Sequence, residues 1–303
     1  MRSAPHGTGA AHPLVLHPTE VSVTSSRLAP GAGIVTVPGG RPAVRTAEGE
    51  FLHLDTGTAD LAALTRHLVG GEAAPDAEVA RVAAAFEREG HAVRPAPEEG
   101  GPLTGRTVLL LGDARLTGPL ARYAVAEGAR TRHATPEHVG RLADGEGADA
   151  STVVVWCLDE PAPPALWDAA DRLPAHGTAW LRCHREGAHL WTEPLAAAPG
   201  DVTSAHVRLR RLAATSAHRQ LAAYWAGHRT PDNGPHPGEA AAALVAALLT
   251  ADLLAWAAPG PGSGLPARRR LRRVDLRDLT VTEHPVLPVP PVAPLPARGS
   301  GPA

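Results

Sequence analysis

Apolar positions along the chain fall into two regimes, and the change between them divides it. From Leu14 to Val37 the apolar residues form short β-branched runs and alternations: Leu14–Leu16, Val21 and Val23, and Gly33–Val37 before the turn Pro38-Gly39-Gly40. Such runs bounded by Gly and Pro predict strands. Apolar spacing then lengthens to three and four residues, which predicts helices. The first covers Ala43–Leu54, with Ala43, Val44, Ala47, Phe51 and Leu54 apolar. The second covers Asp60–Leu68, with Asp60 as N-cap, and ends at Gly70-Gly71. The third covers Asp76–Glu89, with Val79, Val82, Ala83 and Phe86 on one face, and ends at Gly90. Strands followed by three short helices is the order of a winged-helix-like module.

Pro95 to Gly101 carries Pro, Glu and Gly and reads as a linker, taken over 95–105. A different rhythm follows. Thr107–Leu111 is an apolar strand, Gly118–Glu127 a helix, Arg130–His133 a short strand and Pro136–Leu142 a helix. Thr152–Cys157 is a strand, Pro164–Arg172 a helix and Ala179–Cys183 a strand. Alternating β and α predicts a parallel sheet with crossover helices. Then come a polar helix near Ser204–Trp225, an Ala-rich helix near Glu239–Trp256, a strand at Val274–Leu279 and a Pro-rich stretch from Pro285. The fold class is therefore α/β: an α+β winged-helix-like module over 14–94 and a Rossmann-like parallel-sheet domain over 106–284. Residues 1–13 are expected to be disordered, and 285–303 to form a tail.

Composition narrows the functional classes. Of 303 residues, 44% are hydrophobic but only 3% aromatic, so an aliphatic core is expected. Net charge is −2, which lacks the basic excess a nucleic-acid binder uses to neutralise phosphates. All basic residues are Arg, a mark of GC-rich coding of the actinobacterial kind. Two cysteines and no secretory h-region point to a cytoplasmic protein. The apolar run Ala240–Ala258 contains Asp252, which costs a membrane span about 2.5–3.5 kcal/mol, so a buried helix is expected.

Candidate chemistry is sparse. The loop after the Thr107–Leu111 strand runs Gly112-Asp113-Ala114-Arg115-Leu116-Thr117-Gly118, where a dinucleotide fingerprint would read G-x-G-x-x-G. Ala114 stands where the second glycine would let backbone approach a phosphate, so no cofactor is expected from this degenerate loop of Gly112, Ala114 and Gly118. Cys183, His184 and His189, with His176 nearby, form the tightest Cys/His cluster. Adjacent strand residues face opposite ways, which argues against shared metal ligation. Cys157 and Asp159 lie where open α/β sheets place ligands, but a buried structural Cys closing an apolar strand suits the position better. Arg268, Arg269, Arg270, Arg272 and Arg273 form a basic cluster, either a solvated face or a site for an acidic partner.

Several segments together resemble one group, the leader-peptide-binding proteins of azole-forming peptide clusters, thiopeptides among them (the ocin-ThiF-like or cyclodehydratase C-protein family). Leu54-Asp55-Thr56-Gly57-Thr58 leading into Asp60-Leu61, and Arg88-Glu89-Gly90, are similar to the family's precursor recognition element. Thr107–Gly112, Gly128-Ala129-Arg130, and Glu193-Pro194-Leu195 through Pro199-Gly200 resemble its E1-like domain, and His284–Pro290 resembles its closing H-x-V-L-P-x-P stretch.

The resemblance implies a non-catalytic partner that binds a ribosomal precursor's leader peptide beside the third strand of the first module. The implied surface is Ile34, Val35, Thr36 and Val37 with Val79, Val82, Ala83 and Phe86, with Arg81 and Arg88 able to meet acidic leader residues. It further implies a YcaO-type cyclodehydratase as partner and a homodimer as one option. The family's zinc-binding cysteines fall on Ser204, Val207, Val292 and Leu295, none able to ligate as a thiolate, so no metal is expected. The rival reading is a nucleotide-dependent Rossmann-type enzyme, adenylating or oxidoreductase.

Overall fold

The computed structural model describes residues 26–94, 100–163, 165–231, 233–258 and 264–290. The strand readings before Ser26, the expected N-terminal disorder, most of the linker's first half and positions Val292 and Leu295 lie outside them. The chain divides into two compact units, Met1–Glu98 and Glu99–Ala303.

In the first unit β1 (Arg27–Leu28) pairs antiparallel with a later strand, and β2 (Gly33–Val35), β3 (Ala43–Arg45) and β4 (Phe51–His53) form an antiparallel sheet in the order β2-β3-β4. The helix predicted over Ala43–Leu54 is thus a hairpin. Its apolar spacing imitates a helical face, but the turn chemistry decides otherwise. Gly49 takes φ +91°, the Gly49 N–H donates to the Thr46 carbonyl, and Glu50 N–H donates to the Thr46 hydroxyl. Two helices follow, not three: α1 (Leu61–Gly70) and α2 (Ala77–Arg88). Asp60 caps α1 by accepting from the N–H groups of Ala62 and Ala63, left-handed Gly71 ends it, and Asp76 caps α2 through the N–H of Val79. β5 (Ala92–Val93) closes the unit against β1. Leu64, Leu68, Val79 and Phe86 meet Val44 and Leu54 in its core.

The second unit is built on a seven-stranded sheet. Its parallel half holds β6 (Thr107–Gly112), β7 (Arg130–His133), β8 (Thr152–Leu158) and β9 (Ala179–Glu186). The antiparallel half adds β10 (His189–Thr192), β11 (Arg270–Asp275) and β12 (Val281–Pro285), giving the order β12-β11-β10-β9-β8-β6-β7. The α/β class read from the sequence is the class observed. Two details differ. The last strand expected at Val274–Leu279 is instead β11 and β12, joined by a turn in which Leu279 has φ +61°. The helix expected at Pro164–Arg172 is a run of turns ending in a 3₁₀ segment, Ala170–His176, which contains Pro174.

One sheet face is covered by α3 (Ala114–Ala126) and α7 (Glu239–Ala257), with an aliphatic core of Leu, Val and Ala. The other is covered by α4 (Pro136–Ala143) and the 3₁₀ segment, and its aliphatic side chains are joined by aromatic ones. Half the tryptophans gather there: Trp156 and Trp167 each meet Trp180 edge to face, at 6.4 and 6.0 Å. The expected polar helix at Ser204–Trp225 is two helices, α5 (Ser204–Ala213) and α6 (His218–Trp225).

Candidate functional site

Among the described residues, the first unit presents an open strand edge. All three residues of β4 are exposed, Phe51 at 64% and Leu52 at 43%. The Leu54 N–H donates to the Pro42 carbonyl and the Glu50 carbonyl accepts from Thr46 N–H. Backbone direction alternates along an antiparallel strand, so Phe51 and His53 turn their N–H and C=O groups away from β3. A groove of about 260 Å³ runs beside this strand, bounded by Leu52, His53 and Leu54 on one side and by Arg81, Val82, Ala85 and Phe86 of α2 on the other. Its rim is polar: Asp55, Glu89 and His91, with Arg81 paired to Glu78 at 2.9 Å.

The residues singled out from the sequence divide on this geometry. Val82 and Phe86 both line the groove and close the unit's core, each 4% exposed. Val79 and Ala83 lie in the core. Ile34 and Val35 are half-buried on β2, the opposite edge of the sheet, with Thr36 and exposed Val37 following it. The strand edge beside α2 is therefore β4, not the Ile34–Val37 segment. Taking β4 for part of a helix concealed Phe51, Leu52 and His53; the signal that marks them is Gly49 four residues after Arg45, a turn residue inside an apparent helical face.

In the second unit the loop after β6 keeps one of its glycines for geometry. Gly112 has φ +98°, and a Cβ there would stand 1.8 Å from the Cys157 carbonyl oxygen. Asp113 caps α3, its carboxylate accepting from Arg115 N–H at 2.8 Å. That places a negative charge where a phosphate would use the helix N-terminus. Ala114 opens the helix, and Gly118 lies inside it beside a groove of about 410 Å³ shared by the first turns of α3 and α7. Cys157 and Cys183 are register partners on β8 and β9, both fully buried. A hydrogen bond with Cys157, and then burial, raise the Cys183 thiol well above its ordinary range. Asp159 is taken up by Arg185 at 2.7 Å and His236 at 2.6 Å.

Ser204 and Val207 both belong to α5. The Ser204 hydroxyl donates to Asp171 at 2.7 Å, and Val207 is buried with Val202, Leu271 and Val286, with Trp191 alongside. Apolar contact joins α5 to β11 and to the stretch after β12, and Arg210 adds hydrogen bonds to the Leu287 and Pro288 carbonyls. Among the described residues, no group of three or more His, Cys, Asp or Glu is placed to hold a metal ion. Cys183 faces the aliphatic core while His184 stands 5.4 Å from the Trp167 ring, on opposite sides of β9.

Buried ion pairs carry much of the second unit. Glu186, the last residue of β9, accepts from both terminal nitrogens of Arg211, from Trp225 Nε1 at 2.7 Å and from His184 Nε2 at 3.1 Å. The Arg211 guanidinium lies 4.0 Å from the centre of the Trp191 ring. Burial pushes the Glu186 carboxyl up, but the hydrogen bonds and charges of His184 and Arg211 outweigh it and hold the group well below the usual carboxylate range. The basic cluster is only partly a solvated face. Arg272 is 2% exposed and Arg270 half-buried, and both bind Asp252 of α7.

No protein-family model matches the sequence, and no curated protein matches it. Solved structures do. The heterocyclase TruD superposes with a TM-score of 0.62 at 13% identity, over 88% of this chain and 42% of TruD. A heterocyclase in complex with substrate and cofactor gives 0.60 at 14% identity, over 88% of this chain and 38% of its own. The chain has the fold these structures share. It spans less than half the length of either. Escherichia coli MccB gives 0.52 at 8% identity, over 88% of this chain and 95% of MccB. At such identities the likeness is one of fold, and function must be argued from the sites.

Proposed function

We propose that this protein is a peptide-binding scaffold: it holds the leader segment of a ribosomal precursor peptide and presents it to a YcaO-type cyclodehydratase, which converts Cys, Ser or Thr to azolines. The observation that carries the reading is the open β4 edge facing α2 across an apolar groove. An extended peptide added to β4 would take the outward N–H and C=O groups of Phe51 and His53, and its side chains would enter the groove over Val82 and Phe86. The two heterocyclases support the reading at fold level. Fluorescence polarisation with labelled leader peptides of azole-forming precursors tests it. Saturable binding is expected, and its absence removes the recognition role.

A nucleotide-dependent enzyme is the second reading. It is favoured by the fold shared with MccB, also solved with ATP at a TM-score of 0.53, and by Arg115 and Arg122 around the groove at α3. Calorimetric titration with ATP and with NAD separates the two. Tight binding of either would displace the scaffold reading, and the Asp113 carboxylate at the α3 N-terminus weighs against it.

A further inference from the structure

Phe51 stands where an open strand edge ordinarily carries charge. Native sheets guard such edges with charged side chains or Pro. This chain has only two phenylalanines and places one of them on β4, 64% exposed. The other, Phe86, is buried in the unit's core. Successive strand residues face opposite ways. Leu52 pairs in register with buried Val44 and faces α2, whereas Phe51 pairs with Arg45 and faces away from it. Arg45 leaves the ring uncovered: it is exposed, and its Nη1 donates to the Gly31 carbonyl at 3.0 Å. Among the described residues no aromatic ring or cation stacks on Phe51.

We propose that Phe51 is a specificity-determining residue of the β4 site, and that it reads the one leader residue set directly opposite it, which is aromatic or β-branched. The inference rests on the peptide-binding reading. Ladder geometry fixes the position. Phe51 turns its N–H and C=O groups outward, so an added strand sets one residue directly across from it. Side chains that face each other across a ladder share a face, with Cβ atoms about 5 Å apart. Aromatic and β-branched side chains are the ones that gain most against an aromatic ring in that arrangement.

A substrate class follows. The peptide residues on either side of the one facing Phe51 turn to the other face, over Val82 and Phe86 of the groove. The leader segment is thus apolar on both faces at once, in a continuous run with an aromatic or β-branched residue at its centre. Strands covered on both faces read as such runs, whereas strands covered on one face alternate. A leader that alternates apolar and charged residues would fill the groove and leave Phe51 in water.

Fluorescence polarisation of the full chain with labelled leader peptides of azole-forming precursors tests it. Wild-type binding is the reference; if none of the peptides binds, the recognition reading falls and this inference falls with it. Phe51→Ser should weaken binding about tenfold and Phe51→Val less than about threefold. The circular-dichroism spectrum should stay unchanged, because the ring faces solvent in the free protein. A serine scan of the peptide should find one aromatic or β-branched residue whose replacement weakens wild-type binding by a similar factor and Phe51→Ser binding no further. Full affinity in Phe51→Ser, or effects that simply add at every peptide position, overturns the proposal and leaves the β4 reading standing. Sedimentation velocity should show the same species for wild type and Phe51→Ser. An oligomer that Phe51→Ser disperses would assign the ring to self-association and overturn the proposal as well.

Discussion

Single residues show how this chain retains a fold while spending its polar groups on structure. Glu186 is the clearest case. Its carboxylate ties β9 to α5 and α6 through Arg211 and Trp225. Removing the charge leaves Arg211 15% exposed and unpaired, so Glu186→Gln should cost about 3 kcal/mol in denaturant unfolding. The pH dependence has a definite sign. The folded carboxyl titrates below its ordinary value of 4.5, so its contribution is complete above that value and lost as pH falls through the depressed one. Wild-type stability should therefore decline below about pH 4.5, and the Gln variant should decline less over the same window. Gly112 is a second case. Gly112→Ala meets the Cys157 carbonyl in a left-handed backbone, and loss of soluble, cooperatively melting protein is expected. The glycine was legible as a loop residue. That a Cβ there would meet the Cys157 carbonyl became visible only beside β8.

At the level of elements, the helices with caps were readable and the hairpin was not. Asp60, Asp76 and Gly71 announce their helix ends locally, because a cap acts within four residues. The β3–β4 hairpin depends on pairing with β2, which no local spacing reveals, and its apolar positions suit a helix as well as a strand. That misreading moved the candidate edge from β4 to β2. The β4 reading has a selective test. His53 directs its N–H away from β3, so His53→Pro removes a donor that an added strand would use without breaking the existing ladder. Leader-peptide affinity should fall at least about tenfold while the far-ultraviolet spectrum is retained. The α5 clasp has another. Leu271→Ala in the Val202, Val207 and Val286 cluster should cost about 2–5 kcal/mol, whereas a strong chelator should leave the melting temperature unchanged, since apolar contact joins these elements.

For the whole molecule, the chain divides into a small and a larger unit at Glu98–Glu99, and each unit has its own core. Expressed separately, each unit should unfold in its own cooperative transition, and the smaller should keep its peptide affinity within about threefold; a smaller unit without cooperative melting would contradict this. The sequence by itself determined the α/β order and the helix caps, because these depend on residue type and on neighbours a few positions away. The tertiary structure alone decided which strand edge faces α2, which arginines of the basic cluster are buried against Asp252, and that α7 turns its polar residues inward. Each of these rests on partners far apart in sequence, and a polar residue inside an apolar helix reveals its direction only when the charge that pairs with it is in place.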